Sequence, residues 1–215
     1  MTKLVIFDLD GTLLNTLEDL SVAANAALAC CGFATRTREE IQSFLGNGVV
    51  KLLMRALPVG QQTPENIARI KQSFFIYYGT HLWDYTQPYD GIVALLGQLQ
   101  QRKIKMAVAS NKYQLATERL IKHFFPQVPF DSILGQREGH PIKPHPAVVQ
   151  DIFTQAKVDP ADVLYVGDSE TDMQTAANAK VRACGVLWGF RSREILESYS
   201  PTYLISHPKE LLRII

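Results

Sequence analysis

Three short apolar, partly β-branched runs stand out along the chain, at residues 4–7 (Leu-Val-Ile-Phe), 104–109 and 163–166. Runs of this kind predict strands buried on both faces of a parallel sheet. Weaker runs at 132–134, 183–187 and 203–205 extend the series. Between them apolar residues return every three or four positions: Ile92, Leu95, Leu96 and Leu99, then Val148, Val149, Ile152, Phe153 and Ala156. That spacing predicts helices with one apolar face. Strands alternating with helices predict an α/β fold, a parallel sheet with helices on both faces, whose chemistry lies beyond the strands' carboxyl ends.

Residues 15–87 break the alternation. Leu17, Leu20, Ala24, Ala27, Leu28 and Cys31 follow helical spacing, as do Val50, Leu53, Met54 and Leu57, and then Ile67, Ile70, Phe74, Tyr77 and His81. Breaks fall at Gly32, at Gly46-Asn47-Gly48 and at 58–64, a stretch that begins and ends with proline. The pattern predicts a helical insert directly after the first strand. Pro88 and Gly91 mark the return to the α/β pattern. The expected division is therefore 1–14 with 88–215 for the core, and 15–87 for the insert.

Composition narrows the function classes. Hydrophobic residues make up 47% and charged residues 20%, an ordinary balance for a globular protein. A formal net charge of +1, with no basic run, argues against nucleic acid or an anionic membrane as a partner. No apolar stretch reaches the length of a membrane span. Asp8 and Asp10 interrupt the apolar start of the chain, which therefore reads as a strand and not as a signal peptide. Cys30 adjoins Cys31 and Cys184 lies far away, so neither a disulfide framework nor a metal spacing is present. The cysteines read as small core residues of a cytoplasmic protein.

Polar residues gather where the three strongest runs end. Asp8-Leu9-Asp10-Gly11-Thr12 closes the first, and in extended chain the period of two puts Asp8 and Asp10 on the same side. Two carboxylates about 5 Å apart repel by roughly 3 kcal/mol at an effective dielectric of about 20. Asp168 and Asp172 follow the run at 163–166 in Gly167-Asp168-Ser169-Glu170-Thr171-Asp172, and adjacent strands would bring all four carboxylates to one crevice. Oxygen donors without His or Cys select a hard cation, and Mg2+ is the usual one beside phosphate. Each acid also has a plainer role, since Asp-Gly marks turns and Asp168 or Ser169 suits a helix N-cap. Four acids at the ends of two buried strands are hard to assign to capping alone. Ser110-Asn111 follows the run at 104–109 and offers a hydroxyl and backbone donors for phosphate oxygens, as do Gly11 and Thr12. Lys143 lies in Lys143-Pro144-His145-Pro146, a loop stiffened by two prolines.

The order Asp8-Leu9-Asp10-Gly11-Thr12, Ser110, Lys143, Gly167-Asp168-Ser169-x-x-Asp172 resembles the haloacid-dehalogenase-like hydrolase superfamily over essentially the whole chain. The resemblance implies a Rossmann-like core with a small all-helical cap domain at 15–87. It also implies a mechanism. Asp8 becomes an aspartyl phosphate, Asp10 protonates the leaving oxygen and then activates water, and Lys143 restrains and neutralises the nucleophile. Mg2+ is held by Asp8, the Asp10 main-chain carbonyl and Asp168, with Ser169 and Asp172 supporting the metal and Lys143. Gly11, Thr12, Ser110 and Asn111 bind phosphate. Within the superfamily, Leu45-Gly46-Asn47-Gly48, Lys143-Pro144-His145-Pro146 and Gly185-Val186-Leu187-Trp188-Gly189-Phe190 are most similar to phosphoglycolate phosphatases. By that likeness Gly46, Asn47 and Gly48 in the cap select a small phosphorylated metabolite.

The same strand motifs suit a phosphosugar mutase, or a phosphatase for a sugar phosphate or a nucleotide. Asp10 argues against the dehalogenase reaction, and the insert argues against a receiver-like signalling domain. His81, His123 and His207 read as isolated, and His140 and His145 as ordinary neighbours of Lys143. Lys51 and Arg55 read as solvated helix residues, Arg137 is undecided between that and a substrate contact, and Phe74, Phe75, Tyr77 and Tyr78 read as insert core. The oligomeric state stays open.

Overall fold

The computed structural model describes residues 1–215. The chain divides into two compact units, Met1–Asn15 with Pro88–Ile215, and Thr16–Gln87. β1 (Leu4–Phe7) opens the first unit with four buried apolar residues, and the period of two turns Leu4 and Ile6 to one face and Val5 and Phe7 to the other. The two-residue strands β2 (Leu14–Asn15) and β3 (Gln87–Pro88) lie where the chain leaves this unit and rejoins it.

The second unit is helical, with α1 (Leu17–Cys30), α2 (Arg38–Phe44), α3 (Val49–Ala56) and α4 (Pro64–Tyr78). Thr37 caps α2 in a reciprocal box with Glu40, and Thr63 with Pro64 starts α4. Ile41, Leu53, Ile70 and Phe74 form its buried interior. The carboxylate of Asp19 on α1 accepts hydrogen bonds from the Tyr85 and Thr86 amides and from the Thr86 hydroxyl, which fixes the end of the unit to its first helix.

In the α/β unit, β4 (Lys105–Tyr113), β5 (Ser132–Gln136), β6 (Val163–Gly167), β7 (Arg182–Val186) and β8 (Tyr203–Ile205) join β1 in one parallel sheet. The order is β5-β4-β1-β6-β7-β8. Around it lie α5 (Ile92–Gln101), α6 (Gln114–Phe124), α7 (Ala147–Ala156), α8 (Glu170–Ala179) and the short α9 (Arg193–Glu197). Leu4 and Ile6 pack with Val149 and Ile152 of α7 and with Met173 and Ala176 of α8. Val5 and Phe7 on the opposite face are equally buried, so the sheet is covered on both sides. This is the parallel α/β architecture that the alternation predicts.

Two departures bear on the site. β4 continues past the expected end at 109, through Ser110-Asn111-Lys112 to Tyr113. Ala109 pairs with Leu134 and Tyr113 with Gln136, so four steps along β4 match two along β5, and the strand bulges at Ser110-Asn111-Lys112. Gly135 on β5 makes room, because a Cβ there would press on the Lys112 carbonyl. Apolar spacing also gives no warning of α8. Its buried face includes Thr171, Asp172 and Thr175, and that polar half hides the helical period.

Candidate active site

Parallel pairing sets the site. Phe7 is opposite Val108 on β4 and Val166 on β6, so Asp8, Ala109 and Gly167 come next at the same level on three adjacent strands. The Asp8 amide donates to the Val166 carbonyl at 2.9 Å, which carries the chain one residue past β1 in register. Asp8 and Asp168 therefore directly follow the carboxyl ends of β1 and β6, where open α/β sheets place their ligands, and Ser110 stands beside that edge in the β4 bulge.

Lys143 organises the centre, with its side chain only 1% exposed. Its ammonium lies 2.7 Å from Asp172 Oδ1 and 3.0 Å from Asp8 Oδ1. It also donates to the Tyr165 hydroxyl at 2.9 Å and to the Ala109 carbonyl at 3.0 Å. Asn111 grips the same residue by its backbone, accepting from the Lys143 amide at 2.8 Å and donating to its carbonyl at 3.0 Å. The Lys143–Pro144 peptide is cis. Asp172 is fully buried, and its second oxygen accepts from the Ser169 amide and hydroxyl in a capping box at the start of α8. Ser169, not Asp168, is the N-cap.

Asp168 is left to face the site. Thr12 donates its hydroxyl to Asp168 Oδ1 at 3.1 Å, and the Phe190 amide donates to Oδ2 at 2.8 Å. The backbone crowds this carboxylate, since a Cβ at Gly11 or at Gly189 would overlap it, and Gly11 has φ +84°. Trp188 donates its indole N–H to the Thr12 carbonyl at 3.0 Å, tying the segment after β7 to the loop after β1.

Burial, then the Asp172 carboxylate, pushes Asp8 well above the usual carboxylate range, although Lys143 pulls the other way. The same two causes raise Asp168 to about 7. Burial works against the Lys143 ammonium, but Asp172 and Asp8 outweigh it and hold its pKa well above the ordinary value. The opposite-looking behaviour of Asp8 and Lys143 has one cause. One ammonium contacts two of three clustered carboxylates, so their charges favour it while their mutual repulsion and burial work against Asp8.

The structure corrects several expectations. Oxygens of Asp8, Asp168 and Asp172 lie within 4.8 Å of one another, and Asp10 stands outside this tight cluster, though near enough for its charge to act on Asp8. β1 ends at Phe7, and the Asp10 carboxylate meets the Lys112 ammonium at 3.0 Å. The Thr12 hydroxyl is engaged by Asp168, the Ser110 hydroxyl accepts from the Lys112 amide at 3.2 Å, and the Asn111 amide holds Lys143. Lys112 and Tyr165 are participants that sequence reasoning missed. The available signals were a lysine directly after Ser110-Asn111 and a hydroxyl inside the otherwise apolar run of β6.

Other expected residues fall as follows. In the helical unit Gly46 and Gly48 have φ +108° and +80°, and Arg55 donates to the Phe44 carbonyl and to Asn47 Oδ1, each at 2.8 Å. Arg55 is an exposed residue of α3, as expected, and from there it also braces the glycine turn. His81 is not isolated, because Asp84 lies 2.6 Å from its ring and Tyr77 stacks on it. Arg137 pairs with Asp151 at 3.6 Å. Cys184 is buried, its thiol pushed up to about 12 by burial, but Cys30 is exposed and so is not a core residue.

Three buried carboxylates against one contacting ammonium leave negative charge unbalanced. The donor set is oxygen only, and a hard divalent cation would supply the missing charge, so the cluster fits a metal site. Fold and site together define an enzyme of the parallel α/β class with an acidic, metal-compatible centre at the carboxyl edge of its sheet. The chain belongs to the haloacid dehalogenase-like hydrolase family, whose model matches residues 5–186. It is 31% identical over 219 residues to the phosphoglycolate phosphatase of Mannheimia succiniciproducens, covering 99% of this chain and 98% of that one. It is 34% identical to the phosphoglycolate phosphatase of Cereibacter sphaeroides over 210 residues, covering 96% and 94%. A solved structure from Lactobacillus delbrueckii subsp. bulgaricus, 33% identical, matches the fold with a TM-score of 0.94 over 100% of this chain and 99% of that one. No helix is long and apolar enough to cross a membrane.

Proposed function

We propose that this protein is a Mg2+-dependent phosphatase that hydrolyses a small phosphomonoester of the phosphoglycolate type through phosphorylated Asp8. The observation that carries the reading is the Lys143 ammonium set 3.0 Å from Asp8 Oδ1 and 2.7 Å from Asp172 Oδ1. A cation held against a buried carboxylate favours the charged form of a phosphoryl acceptor and aims it. Full-length relatives named phosphoglycolate phosphatase support the substrate class.

Asp8 forms a bond to phosphorus as the bond to the leaving oxygen breaks, and the Asp10 carboxyl gives its proton to that oxygen. Asp10 then takes a proton from water as the water oxygen joins phosphorus. The bond to Asp8 breaks, and inorganic phosphate departs. Lys143 keeps Asp8 in place and offsets its charge, while Asp172, Tyr165 and Asn111 hold Lys143. Asp8, the Asp10 carbonyl and Asp168 would hold Mg2+, which when bound neutralises the charge of the transferring phosphoryl group. Gly11 and Thr12 would provide backbone amides, and Ser110 its hydroxyl, for phosphate oxygens. The helical unit acts as a cap, and Gly46, Asn47 and Gly48 give it substrate selectivity.

The test is phosphate release from phosphoglycolate, sugar phosphates and nucleotides, with Mg2+ and with EDTA. Metal-dependent release led by phosphoglycolate is expected. Release led by another ester would replace the substrate and keep the chemistry, and an isomer appearing in place of free phosphate would make the enzyme a mutase.

A further inference from the structure

We propose that Lys112 is a positioning residue for Asp10, holding its carboxylate in the orientation that both chemical steps require. The inference rests on the phosphoaspartate reading above and adds a residue to it. The Lys112 ammonium lies 3.0 Å from Asp10 Oδ1 and 3.3 Å from Oδ2, so it contacts both oxygens. Its side chain is 4% exposed while that of Asp10 is 21% exposed, so the firmly buried partner is the lysine.

The backbone fixes Lys112 for this task. It sits in the β4 bulge, and bulges beside sites re-aim side chains that a regular strand would send elsewhere. Three local contacts pin the bulge. The Lys112 amide donates to Ser110 Oγ, the Thr117 hydroxyl donates to the Lys112 carbonyl, and Gln114 accepts from the Gly135 amide at 2.6 Å. Opposite, Gly135 leaves no Cβ to push the Lys112 carbonyl away.

The Asp10 backbone is held by a bridge to Leu14, and Lys112 is the side chain on its carboxylate. Asp10 lies past the end of β1, next to Gly11 with its φ of +84°. Three carboxylates stand nearby, and among the causes acting on Asp8 the charge of Asp10 is an unfavourable one. An ammonium touching both Asp10 oxygens keeps that carboxylate apart from the acidic cluster. A proton donor must meet the leaving oxygen within hydrogen-bond reach, and a misplacement of about 1 Å costs on the order of 100-fold in rate.

The experiment compares wild type, K112M and K112R in Mg2+, on phosphoglycolate and on p-nitrophenyl phosphate. The latter carries a leaving group that departs without protonation. On phosphoglycolate, K112M is expected to lose about 100-fold in kcat with KM little changed, and K112R to recover most of the loss. On p-nitrophenyl phosphate, K112M should release one equivalent of nitrophenol in a burst and then turn over slowly. Acid-quenched K112M should correspondingly carry more protein-bound phosphate than wild type. Equal losses on both esters without a burst would reduce Lys112 to a structural role, and an unchanged kcat on phosphoglycolate would remove it altogether. Wild type that never carries phosphate would overturn the two-step reading and this proposal with it. K112Q provides the same readouts should K112M be recovered unfolded.

Discussion

The Lys143 ammonium lies 2.7 Å from the Asp172 carboxylate, with side chains 1% and 0% exposed, so each charge has its partner and almost no water. A buried pair of this kind is held by what would follow from losing one member. K143M leaves Asp8, Asp168 and Asp172 crowded without a contacting cation. Urea unfolding in EDTA should show a loss of about 3–5 kcal/mol, with part of it regained in Mg2+.

Asp168 makes stability depend on pH. The folded carboxyl holds its proton up to about 7, whereas an unperturbed one ionises at 3.8, so the folded state binds the extra proton between those values. The stability from this proton is complete below the lower value and is lost as pH rises through the higher one. Thermal melts in EDTA should show that decline, and D168N should flatten it. Mg2+ competes with the proton, so it should raise Tm more at about pH 8 than at about pH 5.

Asp8 trades stability for chemistry. Its burial and the neighbouring Asp172 charge disfavour its ionised form. D8N should abolish phosphate release while raising Tm in metal-free buffer at neutral pH. A variant with normal turnover would end the covalent mechanism.

Gly189 is held by space. A Cβ there would overlap the Asp168 carboxylate. G189A should cost about 1–3 kcal/mol in stability, and calorimetric titration should find weaker Mg2+ binding.

Gly48 has φ +80°, which only glycine adopts without strain. G48V should destabilise the helical unit by about 1–3 kcal/mol. If the turn selects substrate, activity on phosphoglycolate should fall further than activity on p-nitrophenyl phosphate. Equal losses on the two esters would argue that the turn does not touch substrate.

The strands were legible because buried parallel strands need short uninterrupted apolar runs, and β1, β6 and β8 stand where such runs lie. Helix α8 was not, because part of its inner face is polar, spent on Asp172 and its capping box. β4 ran longer than its apolar stretch, since a bulge at Ser110-Asn111-Lys112, held by Gly135 and the Ser110 and Thr117 hydroxyls, lets pairing resume at Tyr113. Asp8, Lys143, Asp168 and Asp172 could be named from their places after apolar runs, and the structure brings those four together. Tyr165 could not, because a tyrosine in a strand reads as core until its hydroxyl is found 2.9 Å from Lys143.

By itself the sequence determined the parallel α/β alternation and the acidic, lysine-bearing chemistry at the ends of its strands. These follow from residue type and local spacing, which the chain carries openly. Only the tertiary structure decided which charges meet. Asp10 and Lys112 are 102 positions apart, and Lys143 and Asp172 are 29 apart. Pairing over such distances depends on strand order, register and one bulge, properties of the assembled sheet that no local stretch of sequence encodes.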